Sequence, residues 1–172
     1  MCYDNTIKRG RKGAPTVTVT NAMRRLTAAG IPFETREYPV DENDLSGVHI
    51  AETLGIDPDS MFKTLVARGE SGAIYVFCIS APAELDLKKC AVLTGEKKIE
   101  MVHVKELLGL TGYIRGGCSP IGTKKAYPTY MDEVAELFDP IYVSAGVRGV
   151  QLVINPNTLA EFVGITFADI TK

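Results

Sequence analysis

Two apolar stretches on either side of a short polar segment set the first constraint on this fold. Residues 61–67 (MFKTLVA) and 73–80 (AIYVFCIS) are rich in β-branched and aromatic side chains, and the segment RGESG separates them. Strand-forming runs joined by a short segment that contains glycine are typical of a β-hairpin. We therefore predict an antiparallel pair of strands near the middle of the chain.

Helices and further strands are predicted on both sides of this hairpin. Helical spacing and glycine stops predict helices at 22–30 (with Asn21 as N-cap), 48–54, 86–93, 104–108, 131–137 and 157–163; alternation predicts strands at 33–38, 99–102, 141–144 and 150–154. Helices interleave with the strands, but several strands are joined by tight turns, so the sheet should contain both parallel and antiparallel pairs. The predicted fold is a single α/β domain of the α+β type, built around a curved, mixed sheet over residues 19–172.

The first 18 residues are predicted to form a basic tail rather than a targeting signal. Residues 1–18 are polar and carry Lys8, Arg9, Arg11 and Lys12 without apolar periodicity, so we expect them to be mobile. They lack the apolar segment of a secretory signal, and no apolar run in the chain approaches the roughly 20 residues that cross a bilayer. The four cysteines form no CxxC pair, which is typical of reduced thiols. We expect a cytoplasmic protein that has no membrane partner.

Basic residues are unevenly spread, although the formal net charge is only −2. Six of them precede residue 31, against the single acid Asp4, and three lysine pairs follow at 88–89, 97–98 and 124–125. Solvated surface is the ordinary explanation of such pairs. Gathered on one face, they would attract a phosphate backbone. The charge pattern therefore permits a nucleic-acid partner without requiring one.

The common catalytic motifs are missing. His49 and His103 stand in no HxxxE, HxH or HExxH pattern, so they are interpreted as structural or surface histidines and no metal is predicted. The GxSxG elbow, the P-loop and the Rossmann glycine pattern are also absent, and no cofactor is predicted.

The segment GGCSPIGTKK, residues 116–125, allows two interpretations. Glycines at 116, 117 and 122 would let a ligand approach the backbone and its N–H groups, with Lys124 and Lys125 adding positive charge. Alternatively, Cys118 is a nucleophile whose pKa is lowered by the same N–H groups, although no activating base is visible.

Lys63 is the second unusual residue. Strand alternation puts it on the same face as Leu65 and opposite to Phe62 and Thr64. A lysine on an apolar face is costly unless its ammonium meets a partner or a bound anion. The alternative is an edge-strand lysine whose ammonium reaches water along the strand surface.

Four stretches, taken together and in order, resemble the YbaK/EbsC family. They are FKTL (62–65), APAELDLKKCAVLTGEKKIEM (81–101), TGYIRGGCSPIGTKK (111–125) and IYVSAGVRGVQLVINPNTL (141–159). This family comprises free-standing aminoacyl-tRNA deacylases related to the editing domain of prolyl-tRNA synthetase. The resemblance covers about residues 21–171, nearly all of the chain except the tail.

The resemblance implies a fold, an activity and partners. The fold is a mixed, barrel-like β-sheet flanked by helices. The activity is removal of cysteine from mischarged Cys-tRNA(Pro), with Cys-tRNA(Cys) as a further substrate, and no cofactor. The partner is the aminoacylated 3′ end of tRNA, and prolyl-tRNA synthetase is an open second partner. Two alternatives remain: a deacylase for another small amino acid, and a non-catalytic module that binds tRNA or a synthetase.

The resemblance also assigns site residues. Lys63, from the KTL motif, is expected to contact the 3′-terminal adenosine, and the backbone of Gly116 is expected to face the scissile ester. Tyr38 and Ser144 complete the catalytic set. The substrate-binding residues that it implies are Thr64, Gly117, Ser119, Lys124, Arg148 and Gln151.

One residue departs from the best-known branch of the family, which carries an acid where this chain has Gln151. EbsC-type members carry glutamine there, so the departure affects amino-acid specificity rather than activity. The mechanism that the resemblance implies is substrate-assisted: the cysteinyl thiol attacks its own ester. No protein nucleophile is then needed, and GGCSPIG becomes a pocket wall in which Cys118 is a bystander.

Overall fold

The computed structural model describes residues 18–172, so the predicted tail, apart from Thr18, lies outside the described residues. The helices are α1 (Asn21–Ala28), α2 (Gly47–Leu54), α3 (Leu87–Thr94), α4 (Val104–Thr111) and α5 (Pro156–Val163). The strands are β1 (Glu34–Glu37), β2 (Met61–Gly69), β3 (Ile74–Ser80), β4 (Ile99–Met101), β5 (Thr129–Asp132), β6 (Ile141–Ser144), β7 (Val150–Ile154) and β8 (Ile165–Ala168). Short 3₁₀ helices span Pro58–Ser60 and Glu133–Leu137.

The strands form one eight-stranded mixed sheet. Seven strands follow the order β1-β7-β6-β2-β3-β5-β8, and β4 pairs with the far end of β2. The predicted hairpin is the antiparallel pair β2–β3, whereas β2–β6, β3–β5 and β5–β8 are parallel. This arrangement confirms the single mixed α/β fold that the sequence predicts.

Helices cover both faces of the sheet. The first face carries the largest core, in which strand residues such as Phe62 pack with Leu26 of α1 and Leu159 of α5. The second face carries two smaller clusters, which we name after the helices that cover them. The α2 cluster contains Met61, Ile50, Ala51 and Ala81, and the α3 cluster contains Phe77, Ile79, Cys90 and Ala91.

The structure corrects several predicted element boundaries. Thr20, not Asn21, caps α1, and its hydroxyl accepts a hydrogen bond from the Met23 N–H. The helix predicted at 131–137 is wrong in its first two residues, which belong to β5, and the rest is a 3₁₀ helix. Pairing of β5 with β3 and β8 outweighs the helical propensity of this segment. The turn predicted at 104–108 extends to the whole helix α4, and the sequence did not predict β8.

Within residues 18–172, no helix is long and apolar enough to span a membrane.

Candidate active site

Four polar residues, Lys63, Ser144, Gln151 and Arg36, form a row across the neighbouring strands β2, β6, β7 and β1. The last residue pair of the parallel β2–β6 ladder is Phe62 with Val143. Lys63 and Ser144 are the next residues on the two strands. Ser144 is paired with Gln151, and Gln151 with Arg36. Residues paired across neighbouring strands project from the same face of a sheet. The row therefore lies on one face, and we call it the polar row.

The polar row lies on the second face, where the clusters under α2 and α3 meet. Along β2 the neighbours of Lys63 on this face are Met61 and Leu65. Met61 belongs to the α2 cluster, and Leu65 packs against the α3 cluster. Two packed clusters thus border the row and hold its strands in place.

Lys63 is half-buried, and its ammonium has one backbone partner. Its Nζ donates a hydrogen bond of 2.9 Å to the carbonyl oxygen of Ala81. Burial lowers the pKa of Lys63, and the charge of Glu84 partly opposes this effect. An ammonium has three N–H donors, so two remain for a ligand. The prediction that Lys63 shares a face with Leu65, opposite to Phe62, is confirmed by the register.

Gln151 is the most deeply buried member of the row. Only 4% of its surface is exposed, and its carboxamide makes no hydrogen bond to any residue in 18–172. No fully buried side-chain nitrogen or oxygen among the described residues lacks a hydrogen-bond partner, so the unbonded atoms of this carboxamide are not sealed from solvent. The amide is therefore available to a ligand that enters the row.

Ser144 and Tyr38 connect the row to the turn that follows β6. The Ser144 Oγ accepts a hydrogen bond of 3.1 Å from the Gly146 N–H, which leaves its own hydroxyl hydrogen to donate. The Tyr38 N–H donates to the Gly149 carbonyl oxygen at 2.9 Å, and its ring packs against the α2 cluster. Of the two predicted residues, Ser144 is therefore a member of the polar row, and Tyr38 lies at its edge.

The glycine loop meets the same turn. The Arg148 Nε donates to the Arg115 carbonyl oxygen at 2.8 Å. Gly116 has φ of +84°, and a Cβ there would lie 3.2 Å from Arg148 Nε and 3.4 Å from Leu45 Cδ1. A Cβ on Gly117 would lie 3.3 Å from the backbone nitrogen of Arg148. Since Leu45 precedes the N-cap residue of α2, Gly116 lies near the N-terminal end of the helix that covers the second face.

The backbone donors of this loop are only partly available. The Gly117 N–H already donates to the Ile114 carbonyl oxygen at 3.0 Å and closes a turn. The N–H groups of Gly116 and Cys118 find no acceptor in the part of the chain that the structure describes. An oxyanion at this loop would therefore be bound by Gly116 and Cys118, and not by Gly117.

Three of the predicted substrate-binding side chains do not face the row. Thr64 lies on the first face, where its Oγ1 is 3.8 Å from Cys78 Sγ. Ser119 is fully buried, and its Oγ accepts a hydrogen bond from the Ile121 N–H. Lys124 is exposed and lies against Gly112 at the end of α4. The geometry gives the side chains of Thr64 and Ser119 structural contacts instead.

Cys118 is buried in the core of the first face. Burial raises the pKa of its thiol to about 11, and a hydrogen bond with Thr111 opposes the rise only partly. At neutral pH the group is a thiol rather than a thiolate, which is the opposite of what a nucleophile requires.

His49 is partly exposed and His103 is exposed, which fits the prediction of structural or surface histidines. His49 lies in α2, where its ring nitrogens are 3.8 Å and 3.9 Å from carboxylate oxygens of Asp41 and Asp44. His103 is the N-cap residue of α4, and its N–H donates to the Glu106 carboxylate.

Sequence reasoning missed two residues near the row. Arg36 completes it, and its guanidinium donates a 3.1 Å hydrogen bond to the carbonyl oxygen of Leu54 at the end of α2. Leu45 approaches Gly116. An apolar residue just before the N-cap Ser46 is the sequence signal of a hydrophobic staple and could have indicated Leu45. Arg36 carries no such signal, because its position depends on strand register.

Comparison with known proteins places this chain in a class, the domains that edit aminoacyl-tRNA. The sequence profile described as the aminoacyl-tRNA editing domain matches residues 46–162, which is more than half of the chain. The chain belongs to this family, and the family predicted from the sequence is confirmed.

Two relatives are similar along most of their length. EbsC of Enterococcus faecalis, provisionally named a Cys-tRNA(Pro)/Cys-tRNA(Cys) deacylase, is 46% identical over 152 residues, covering 88% of this chain and 93% of EbsC. YwhH of Bacillus subtilis is 29% identical over 130 residues, covering 74% of this chain and 82% of YwhH.

Solved structures share the fold. A crystal structure provisionally described as a trans-editing enzyme for prolyl-tRNA synthetase superposes with a TM-score of 0.78 at 26% identity, covering 90% of this chain and 99% of that one. A hypothetical protein of known structure superposes with a TM-score of 0.80 at 21% identity, covering 87% and 97%.

Proposed function

We propose that this protein cleaves the ester of mischarged Cys-tRNA(Pro), and that Cys-tRNA(Cys) is a second substrate. The observation that carries the proposal is the polar row. A half-buried ammonium with free donors and a carboxamide without a hydrogen-bond partner lie in one row with Ser144 between them, and Gly116 lies beside Arg148 in the turn that joins β6 to β7. The name of the EbsC relative and its 46% identity support the same substrate.

Each group of the row has a proposed role. The two remaining N–H donors of Lys63 bind the 3′-terminal adenosine and fix the tRNA end. The carboxamide of Gln151 binds the aminoacyl part, where an amide offers both a donor and an acceptor. The hydroxyl groups of Ser144 and Tyr38 line the edge of this site, and Arg148 holds Gly116 in position through the Arg115 carbonyl.

The chemistry that we propose uses the thiol of the substrate. The cysteinyl sulfur attacks its own carbonyl carbon, a tetrahedral oxyanion forms, and the C–O bond to the ribose then breaks. The thiol proton passes to the ribose oxygen, so the products are a cyclic thiolactone and tRNA with a free hydroxyl group. Correct orientation of such an intramolecular attack contributes on the order of 7 to 11 kcal/mol.

The protein then has to stabilise the oxyanion and hold the thiol near the carbonyl. The N–H groups of Gly116 and Cys118 are the available donors, and one such donor contributes roughly 100- to 1000-fold in rate. The buried thiol of Cys118 has no role in this scheme. The raised pKa of that thiol supports leaving it out.

The source of the substrate is proposed to be an error of prolyl-tRNA synthetase, which would charge tRNA(Pro) with cysteine. The name of the structural relative, an editing enzyme for that synthetase, supports this link. The test is a deacylation panel with tRNA(Pro) charged with cysteine, alanine and serine. Rapid release of cysteine alone supports the proposal. Equal release of alanine would assign a different amino acid, and no release at all would leave a binding module.

A further inference from the structure

A second concave site lies at the other end of the glycine loop. It is a cavity of about 210 Å³ between the loop, α1 and α5. Its lining residues are Arg25, Pro120, Ile121, Gly122, Thr123, Lys125, Ala126, Tyr127, Thr129, Phe162 and Val163. A water molecule takes up about 30 Å³ in the liquid, so the cavity has room for a small hydrated or oxygen-rich group. We call it the α1–α5 cavity.

The charged side chains that line the α1–α5 cavity are all positive. Arg25 and Lys125 line it, and none of its lining residues is acidic. Neither cation forms an ion pair within residues 18–172, whereas Arg68, Lys89, Lys98 and Lys172 each do. Two unpaired cations on one concave surface favour an anion there.

The hydroxyl groups of the cavity are already committed, but several backbone donors are not. Tyr127 donates to the Leu110 carbonyl oxygen, Thr129 to that of Tyr127, and Thr123 to that of Lys125. The N–H groups of Gly122, Thr123 and Ala126, in contrast, have no acceptor among the described residues. Free backbone N–H groups beside cationic side chains are the usual elements of a phosphate site.

Packing between the loop and α1 fixes this arrangement. Gly122 has φ of +76°, and a Cβ on it would lie 2.8 Å from Asn21 Nδ2 and 3.6 Å from Arg25 Cδ. Asn21 and Arg25 are four residues apart and thus share one face of α1. The Tyr113 hydroxyl also donates to the Ile121 carbonyl oxygen. The loop is therefore held against the side chain of Arg25.

We propose that the α1–α5 cavity binds a phosphate group, carried by the RNA substrate or free in solution. The RNA source rests on the proposed function. Gly122 follows Gly116 by six residues, so the cavity lies at most about 22 Å along the chain from the ester-facing glycine. One loop would then hold the reacting ester at its start and a backbone phosphate of the same tRNA at its end.

The chain offers matched variants to test this site. Inorganic phosphate is titrated at constant ionic strength into the full protein, and the backbone amide resonances of Gly122, Thr123 and Ala126 are followed by NMR. We expect saturable shifts, and the affinity for phosphate that they report should fall about tenfold or more in the double variant Arg25→Gln/Lys125→Gln. The control is Arg24→Gln/Lys124→Gln, which removes the same charge from neighbours outside the cavity and should bind as the wild type does. Absence of saturable shifts, or equal weakening in the control, would overturn the proposal.

A competition arm identifies the source of the phosphate. Uncharged tRNA that displaces inorganic phosphate from these amides assigns the site to RNA, and the Arg25→Gln/Lys125→Gln variant should then raise KM for deacylation with little change in kcat. Phosphate binding that tRNA does not displace assigns the site to free phosphate. Displacement of phosphate by uncharged tRNA is read by NMR without turnover, so a protein that lacks deacylase activity would refute the proposed function and leave this part of the test intact.

Discussion

The side chain of Lys63 is tied to the backbone of Ala81, with Nζ 2.9 Å from the carbonyl oxygen. This bond holds the ammonium on the second face of the sheet, between two apolar clusters, while leaving two of its N–H donors free. A charge that is costly to bury is thereby kept in one place by a single hydrogen bond. The two free N–H donors can therefore bind an anionic or polar ligand.

Removing this ammonium should reduce catalysis far more than stability. A hydrogen bond that involves a charged group contributes about 1.5 to 3 kcal/mol, so Lys63→Ala is expected to lower kcat/KM roughly ten- to a hundredfold. The melting temperature should change little, because Lys63 is only half-buried. Steady-state deacylation and a thermal melt give the two readings.

The neighbouring residue supplies the control for Lys63. Thr64 projects from the opposite face towards Cys78, so Thr64→Val should keep full deacylation activity. An active Lys63→Ala protein would remove Lys63 from the site. Equal losses in the two variants would show a general disturbance of β2.

Gly116 should be sensitive to any side chain. Its φ of +84° disfavours other residues, and a Cβ would press on Arg148 and Leu45 at the predicted ester position. We expect Gly116→Ala to abolish measurable deacylation and to lower stability by about 1 kcal/mol. The matched control is Gly72→Ala, in a hairpin turn with φ of +91° and nothing within 4 Å of the added Cβ.

Both glycine variants should therefore lose similar stability, and only Gly116→Ala should lose activity. Chemical denaturation and single-turnover deacylation separate the two effects. If Gly116→Ala retained the wild-type rate, the loop would not face the ester.

Much of this fold can be predicted from local sequence patterns, and the predictions that are wrong have identifiable physical causes. The hairpin is predicted almost residue for residue, because its two strands are runs rich in β-branched and aromatic residues and the segment RGESG between them is typical of a turn. The helix predicted at 131–137 fails because its first residues pair with two parallel neighbours that lie far away in sequence. Local propensity contains no information about such pairing.

Some features of the candidate site can likewise be predicted from the sequence, and others cannot. Alternation alone places Lys63 and Thr64 on opposite faces, so Thr64 could have been left out of the predicted site. The polar row is different, since it depends on the register between β6, β7 and β1. The bond from Arg148 to Arg115 joins two loops 33 residues apart, and no periodicity indicates it.

Gln151 should affect the aminoacyl part of the substrate. Only 4% of the residue is exposed and its carboxamide has no hydrogen-bond partner in the described chain, and a neutral hydrogen bond contributes about 0.5 to 1.5 kcal/mol. Gln151→Ala is therefore expected to lower kcat/KM for Cys-tRNA(Pro) roughly two- to tenfold. Comparison with Ala-tRNA(Pro) shows whether discrimination between amino acids changes as well. Identical kinetics for both substrates in the variant and the wild type would leave Gln151 a packing residue.

The thiol of Cys118 should react slowly with alkylating agents. Burial raises its pKa from 9.0 to about 11, so at a pH well below both values the thiolate fraction is about a hundredfold lower than that of a free thiol. Iodoacetamide at pH 8, followed by peptide mass spectrometry, should label Cys118 at least that much more slowly than free cysteine. The rate should rise with pH towards 11. Rapid labelling at pH 7 would indicate an exposed, activated thiol instead.

The final prediction decides which thiol does the chemistry. If the substrate's own sulfur attacks the ester, Cys118→Ser should deacylate Cys-tRNA(Pro) at close to the wild-type rate, and Cys118→Ala covers the case in which a buried hydroxyl group impairs folding. Serine offers a weaker nucleophile than cysteine, so Ser-tRNA(Pro) should react much more slowly with the same protein. A protein nucleophile would produce the reverse pattern, because it attacks either ester and is lost in both variants. Folded Cys118 variants without activity, together with equal rates for the serine and cysteine esters, would therefore refute the substrate-assisted mechanism. Full activity with a strong preference for the cysteine ester would leave the substrate's sulfur as the attacking group, since the buried thiol of Cys118 is protonated at neutral pH.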